Sequence, residues 1–191
     1  RRVRRGLRGI GELGVARTFR SCWTKLTCDT ISPTDWTNVV TDINNLAIPP
    51  MCRVTLSSSV VIGTGSWTSI YPDVESFDTD SMHSSGAADR ITFNTAGIYV
   101  VHGRGTFLEN ASGVRGFRLL KNGANNIAAN VRIGNSGSSW TALDVWAIWA
   151  FSAADWVTLQ VYQSSGGNLN FNGPEYDPGM EFSAVWVGKT S

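Results

Sequence analysis

Side chains able to do chemistry are few in this sequence, and their spacing says more than their number. Asp73, Glu75, Asp78 and Asp80 fall within eight residues, and carboxylates this close can serve as the acid and base of glycoside hydrolysis or as ligands for calcium. The run lacks the D-x-[DN]-x-[DN]-G order and the downstream Glu of a calcium loop, so it reads as a solvated acidic loop. Cys22, Cys28 and Cys52 lack the close pairing of a zinc site, and His83 and His102 are the sole histidines available to complete one. Reduced thiols are the expectation, with a Cys22–Cys28 disulfide as the alternative. Gly9-Ile10-Gly11-Glu12-Leu13-Gly14 fits the dinucleotide pattern, but that mechanism needs a strand before it and a helix after it, and Arg-rich sequence stands there instead. G-x-S-x-G, P-loop and H-E-x-x-H motifs are absent. The sequence therefore predicts a non-enzyme with no cofactor and no metal.

Charge is distributed unevenly along the 191 residues. Residues 1–25 hold eight basic side chains (Arg1, Arg2, Arg4, Arg5, Arg8, Arg17, Arg20 and Lys25) against Glu12, a net +7, while the remainder holds eight basic and fourteen acidic residues, a net −6. A basic arm on a mildly acidic body suits docking onto an acidic protein surface. Nucleic acid is not expected as its partner, because no aromatic stacking residues stand beside Arg1–Arg8. No stretch reaches the roughly 18 uninterrupted apolar residues of a membrane span. Glycines and charges interrupt the N-terminus where a secretory signal would need an apolar run. The chain starts at Arg1 and is expected to be a fragment or a processed product. At 42% hydrophobic and 16% charged, it can fill one core without disulfide staples.

Three segments are expected: an extended Arg-rich arm (1–31), an amphipathic helix with a Pro-Pro linker (32–50), and an all-β head (51–191). Ser32, Pro33 and Asp35 supply a hydroxyl cap, a proline for the first helical position and a carboxylate to answer the cap. Trp36, Val39, Val40, Ile43 and Leu46 follow at helical spacing, and Pro49-Pro50 ends the helix. Beyond it, ten strands are read at 53–62, 67–71, 90–94, 98–108, 114–121, 126–133, 139–151, 156–163, 169–172 and 180–187, separated by Gly, Ser and Asn clusters. Asn122-Gly123 is a strong hairpin signal because both positions of a primed turn need positive φ. So many short strands predict a sandwich or closed barrel of the jelly-roll kind. The strand at 139–151 carries Trp146 and Ile148 on one face and Leu143, Val145 and Phe151 on the other, instead of the polar alternation of a solvated strand. Two apolar faces in a small sandwich mean that the outer one meets something else, most economically another copy of itself.

Four segments in order resemble the superfamily of tumour necrosis factor cytokines and the globular heads of complement component one, subcomponent q. Phe93-Asn94-Thr95-Ala96-Gly97-Ile98-Tyr99-Val100-Val101 is similar to the family's G-x-Y opening of a long strand. Leu119-Leu120-Lys121-Asn122-Gly123 is similar to its K-N-G turn. Residues 151–159 resemble the hydrophobic-x-x-G-D-x-V-x-L segment and Phe182-Ser183-Ala184-Val185-Trp186 the closing F-S-G strand, with Ala154 and Ala184 standing where the family has Gly. The resemblance implies a ten-strand jelly roll assembling as a homotrimer, with Tyr99, Trp146, Ile148, Phe182 and Trp186 as candidates for the threefold interface.

A trimeric head on a basic arm is the plan of a bacteriophage virion protein, displayed as a head decoration, spike or tail-fibre tip. On this reading the arm arginines (Arg1, Arg2, Arg4, Arg5, Arg8, Arg17 and Arg20) and the helix residues Trp36, Val40 and Ile43 anchor the protein to an acidic surface of another virion protein. The head faces outward to a host-surface glycan or protein through the loops 81–89, 110–113 and 134–138. The alternatives are a secreted trimeric binding module or cytokine-like ligand, and a glycan-active enzyme using Asp78 and Asp80.

Overall fold

The computed structural model describes residues 32–135, 139–171 and 179–190. The seven arm arginines, Cys22 and Cys28 lie outside the described residues. The chain divides into two units, Arg1–Asn44 and Asn45–Ser191. Helix α1 (Pro33–Ala47) starts on the expected capping box. Asp35 N donates to Ser32 Oγ at 3.1 Å, and Ser32 N donates back to Asp35 Oδ2 at 3.0 Å. These reciprocal bonds satisfy donors that the first helical turn leaves orphaned.

Twelve strands follow: β1 (Met51–Thr55), β2 (Val60–Ile62), β3 (Thr68–Ser69), β4 (Val74–Asp78), β5 (Ile91–Thr92), β6 (Gly97–Phe107), β7 (Val114–Lys121), β8 (Asn125–Ile133), β9 (Thr141–Phe151), β10 (Trp156–Gln163), β11 (Leu169–Phe171) and β12 (Glu181–Gly188). They form two antiparallel sheets. One runs β2-β11-β6-β12-β1-β4, with β9 pairing β6, and the other runs β3-β10-β7-β8, with β5 pairing β10. The fold is the all-β jelly-roll sandwich expected, but two readings change. Residues 53–62 are two strands, β1 and β2, parted by Leu56 and three serines. The acidic loop is in part a strand: β4 pairs antiparallel with β1, with a bulge opposite Arg53/Val54. All its residues but Asp78 are exposed, so no apolar period marks it, and backbone pairing at the sheet edge defines it instead.

Between the sheets, Phe93 stacks on Phe151 at 3.8 Å between centroids, and Tyr99 tilts against Phe93 at 4.6 Å. Phe107, Phe117 and Phe171 form a second aromatic group, 5.1–6.2 Å apart. Gly97 carries no side chain because the Trp186 indole occupies that space, and a Cβ there would also come within 2.6 Å of Gly188 O.

The K-N-G turn and the x-x-A-D segment lock into each other. Asn122 and Gly123 take φ of 51° and 71°, the left-handed pair that a primed hairpin turn requires. Asn122 Nδ2 donates to Asp155 Oδ1 at 2.6 Å, Trp156 N donates to Asn122 Oδ1 at 2.9 Å, and Lys121 Nζ lies 2.7 Å from Asp155 Oδ2. Burial on its own would raise the Asp155 carboxyl, but hydrogen bonds from Asn122, Lys121 and the Ser152 N–H outweigh it and hold the group below the ordinary carboxylate value.

To place Asp155 there, Ala154 adopts φ of 70°, a conformation costing a residue with a Cβ roughly 1–2 kcal/mol. Ala154→Gly is therefore expected to stabilise the head by about 1 kcal/mol in urea unfolding, whereas unchanged or lower stability would show that the turn is relaxed with alanine.

Candidate functional site

The long strands β6 and β9 present one face to the opposite sheet and the other away from it. Their burial alternates almost residue by residue, with Leu143, Val145 and Ala147 buried and Asp144, Trp146 and Ile148 exposed. Antiparallel register carries this alternation across four strands. One outward row is Met51, Val185, Val100 and Ile148, the next is Arg53, Ser183, His102 and Trp146, and the third is Thr55, Glu181, Arg104 and Asp144. The face thus grades from apolar at one end to charged at the other. Trp146 is 61% exposed, Ile148 59% and Val187 54%, while Phe77 of β4 is paired with Arg53 at the flank.

At the charged end Glu181 serves two arginines. Its Oε2 lies 3.1 Å from Arg53 Nη2 and 3.0 Å from Arg104 Nη2, and its Oε1 lies 4.0 Å from His102 Nδ1. Ser183 Oγ also donates to Glu181 Oε1 at 3.3 Å. With Asp144 paired to Arg104 in the same row, two carboxylates stand beside two guanidinium groups at this end of the face. In water such pairs contribute about 0–1 kcal/mol each, so they orient one another more than they stabilise the protomer.

The structure separates the five candidate interface residues. Trp146 and Ile148 lie on this outward face. Tyr99, Phe182 and Trp186 do not: they point between the sheets, at 0%, 0% and 9% exposure, and belong to the protomer's own core. The Tyr99 hydroxyl donates to Thr95 O at 2.6 Å, and Trp186 Nε1 donates to Ala96 O at 3.4 Å. The family resemblance and aromatic type singled out these residues, but the parity of each position within its strand decides which way it faces. Sequence reasoning did not single out Met51, Arg53, Val100, His102, Glu181 and Val185 as one set, because only the register between β1, β6 and β12 brings them together.

The acidic residues make no paired site. Asp73 accepts hydrogen bonds from Ser57 N and Oγ, Asp78 accepts from Asp80 N and His83 N, and Asp80 Oδ2 accepts from Thr95 N. These carboxylates fasten chain segments to one another. Asp73 and Glu75 border an open depression of about 490 Å³ with Tyr71, His83 and Ser84. Among the described residues no group of three His, Cys, Asp or Glu side chains is placed to hold a metal ion. No helix among them is long and apolar enough to cross a membrane. On α1, Trp36, Val40 and Ile43 are exposed.

No family model matches this chain, and no curated protein matches it in sequence. Solved structures do. Murine APRIL is 10% identical at a TM-score of 0.55, covering 72% of this chain and 98% of its own. The Eiger TNF of S. frugiperda is 14% identical at 0.52, covering 74% and 96%. The globular domain of the zebrafish complement 1qA protein is 12% identical at 0.52, covering 74% and 99%. The chain therefore has the jelly-roll fold of TNF-like ligands and C1q heads. At these identities the likeness is one of fold alone.

Two buried groups give the head a pH limit. Burial first, and then the charges of Asp78 and Glu75, push the Cys52 thiol from 9.0 to about 12. Burial, and then Asp80, push the Tyr99 phenol well above its ordinary 10.0. The folded state keeps both protons at a pH where the unfolded chain gives them up. Their contribution is thus complete below about pH 9 and is lost as pH rises toward the folded-state values. The urea midpoint is expected to fall progressively from pH 9 to pH 11, and a midpoint that stays level across that range would contradict the burial of both groups.

Proposed function

We propose that this chain is a trimeric, non-catalytic jelly-roll binding module whose copies associate through the outward face of β9, β6, β12 and β1. The observation that carries this reading is the continuous surface formed by Trp146, Ile148, Val100, Val185 and Met51. Large contiguous apolar patches mark interaction sites in soluble proteins, and a surface repeated in every copy of one chain builds a symmetric ring where the rotation between copies closes. The resemblance to trimeric cytokine and complement heads favours three copies. A binding role, in place of catalysis, is supported by the structural commitments of Asp73, Asp78 and Asp80.

Within this reading we place the protein on the surface of a bacteriophage particle, assembled in the host cytoplasm. The basic arm would dock on an acidic surface of another virion protein, and the head would meet a host-surface glycan or protein. Charge supports that placement, a net +7 over residues 1–25 against −6 over the rest.

Sedimentation equilibrium of the full chain at micromolar concentration is expected to give three times the 20.7 kDa chain mass. Trp146→Asp combined with Ile148→Asp is expected to yield folded single chains with an unchanged circular dichroism spectrum. Wild-type chains that sediment singly would sink the reading. Removing residues 1–31 is expected to leave the trimer intact while cutting its incorporation into particles at least about tenfold, as several Arg contacts to an acidic surface would be lost. Normal incorporation would refute the anchoring role.

A further inference from the structure

The apolar stripe of α1 contains a heptad seam, widened at one e position by Val40. Trp36, Val39, Ile43 and Leu46 are spaced three, four and three residues apart, the a-d-a-d pattern whose 3.5-residue repeat keeps one seam facing a partner helix. All four are exposed, from 43% at Val39 to 76% at Leu46, and α1 has no buried residue. The other faces carry Thr37, Asn38, Thr41, Asn44 and Asn45, while Asp35 and Asp42 fall at the g positions, which in a parallel bundle lie opposite the uncharged e positions Val40 and Ala47. A helix of 15 residues is marginal in water by itself and gains most of its stability from covering such a stripe.

The chain's connectivity indicates what covers it. Only Ile48, Pro49 and Pro50 separate α1 from β1, and the two prolines are tied into the head. Thr79 Oγ1 donates to Pro49 O at 2.7 Å, and Trp186 N donates to Pro50 O at 2.8 Å. The next residue, Met51, opens the outward apolar row of the association face. Where heads assemble through that face, each α1 is tethered by a short proline linker to the same assembly. A short tether holds such helices at effective concentrations on the order of millimolar.

We propose that α1 of each copy packs against α1 of the other copies as a two-heptad, three-stranded coiled coil. Trp36, Val39, Ile43 and Leu46 form its seam. The inference rests on the trimeric reading above and assigns Trp36 and Ile43 to contacts between copies, in place of contacts with another virion protein.

Disulfide trapping in the full chain tests it. In a background with Cys22→Ser and Cys28→Ser, Ile43→Cys and Val39→Cys place thiols in the seam, while Thr41→Cys places one at the outward f position. Copper-phenanthroline oxidation at micromolar protein is expected to cross-link the seam variants into covalent dimers. About two of every three chains is the ceiling for a three-stranded seam, and the yield should be at least roughly tenfold that of Thr41→Cys. Sedimentation of the same samples separates the two claims. Trimers whose seam variants cross-link no better than Thr41→Cys overturn the coiled coil and leave the head trimer standing. That result would also be expected if the stripe covers another protein or the chain's own arm. Single chains without cross-links overturn both.

Discussion

A β-strand has two faces, and a sandwich of two sheets can cover only one face of each. In β6 and β9 both faces are apolar. The inward set, Tyr99, Val101, Leu143 and Val145, is sealed by the second sheet, and the outward set, Val100, Trp146 and Ile148, is left to water in a single protomer. At about 25 cal/mol per Å² of apolar surface, leaving side chains of this size uncovered forgoes on the order of 1.5–3 kcal/mol each. The proposed quaternary structure follows from that arithmetic and from the geometry of the pleat.

The charged end of the same face gives it direction. Arg53, Arg104 and His102 gather around Glu181 at one end of rows that run apolar at the other. A uniformly greasy sheet would allow copies to slide along one another. A face that is apolar at one end and charged at the other penalises misaligned docking, because a misplaced copy leaves charge against an apolar surface without compensation.

Elsewhere the head is held by buried polar side chains bonded to its own backbone. Arg115 is fully buried, and its guanidinium donates to the backbone oxygens of Asn110, Ser112 and Val114 at 2.8–3.1 Å. Gln163, also fully buried, donates to Ile62 O and Gly167 O and accepts from Ser165 N. Ser164 Oγ accepts from Val114 N at 2.9 Å, linking the two segments. Burying a guanidinium without a carboxylate is costly unless its donors are used; here Nη1 and Nη2 are bonded while Nε has no partner. Part of that cost is offset where these bonds fix the loop at 110–113.

Much of this architecture could be read from local patterns. The Ser32–Asp35 cap, the Pro-Pro stop, the Asn122-Gly123 hairpin and the full extents of β7 and β10 depend on neighbours in the chain. So does the double apolar character of β9, which already pointed to a second covering surface. Among the described residues twelve strands stand where ten were read, since β4 has no apolar period and a serine run splits β1 from β2. Tyr99, Phe182 and Trp186 had the right residue type for a contact between copies, yet they fill the protomer's interior. Side-chain direction in a strand alternates with every residue, so a shift of one position in register exchanges core for surface. Register between β1, β6, β9 and β12 joins residues up to 134 positions apart (Met51 to Val185), and it is fixed only when hydrogen-bonded ladders and the facing sheet are in place together.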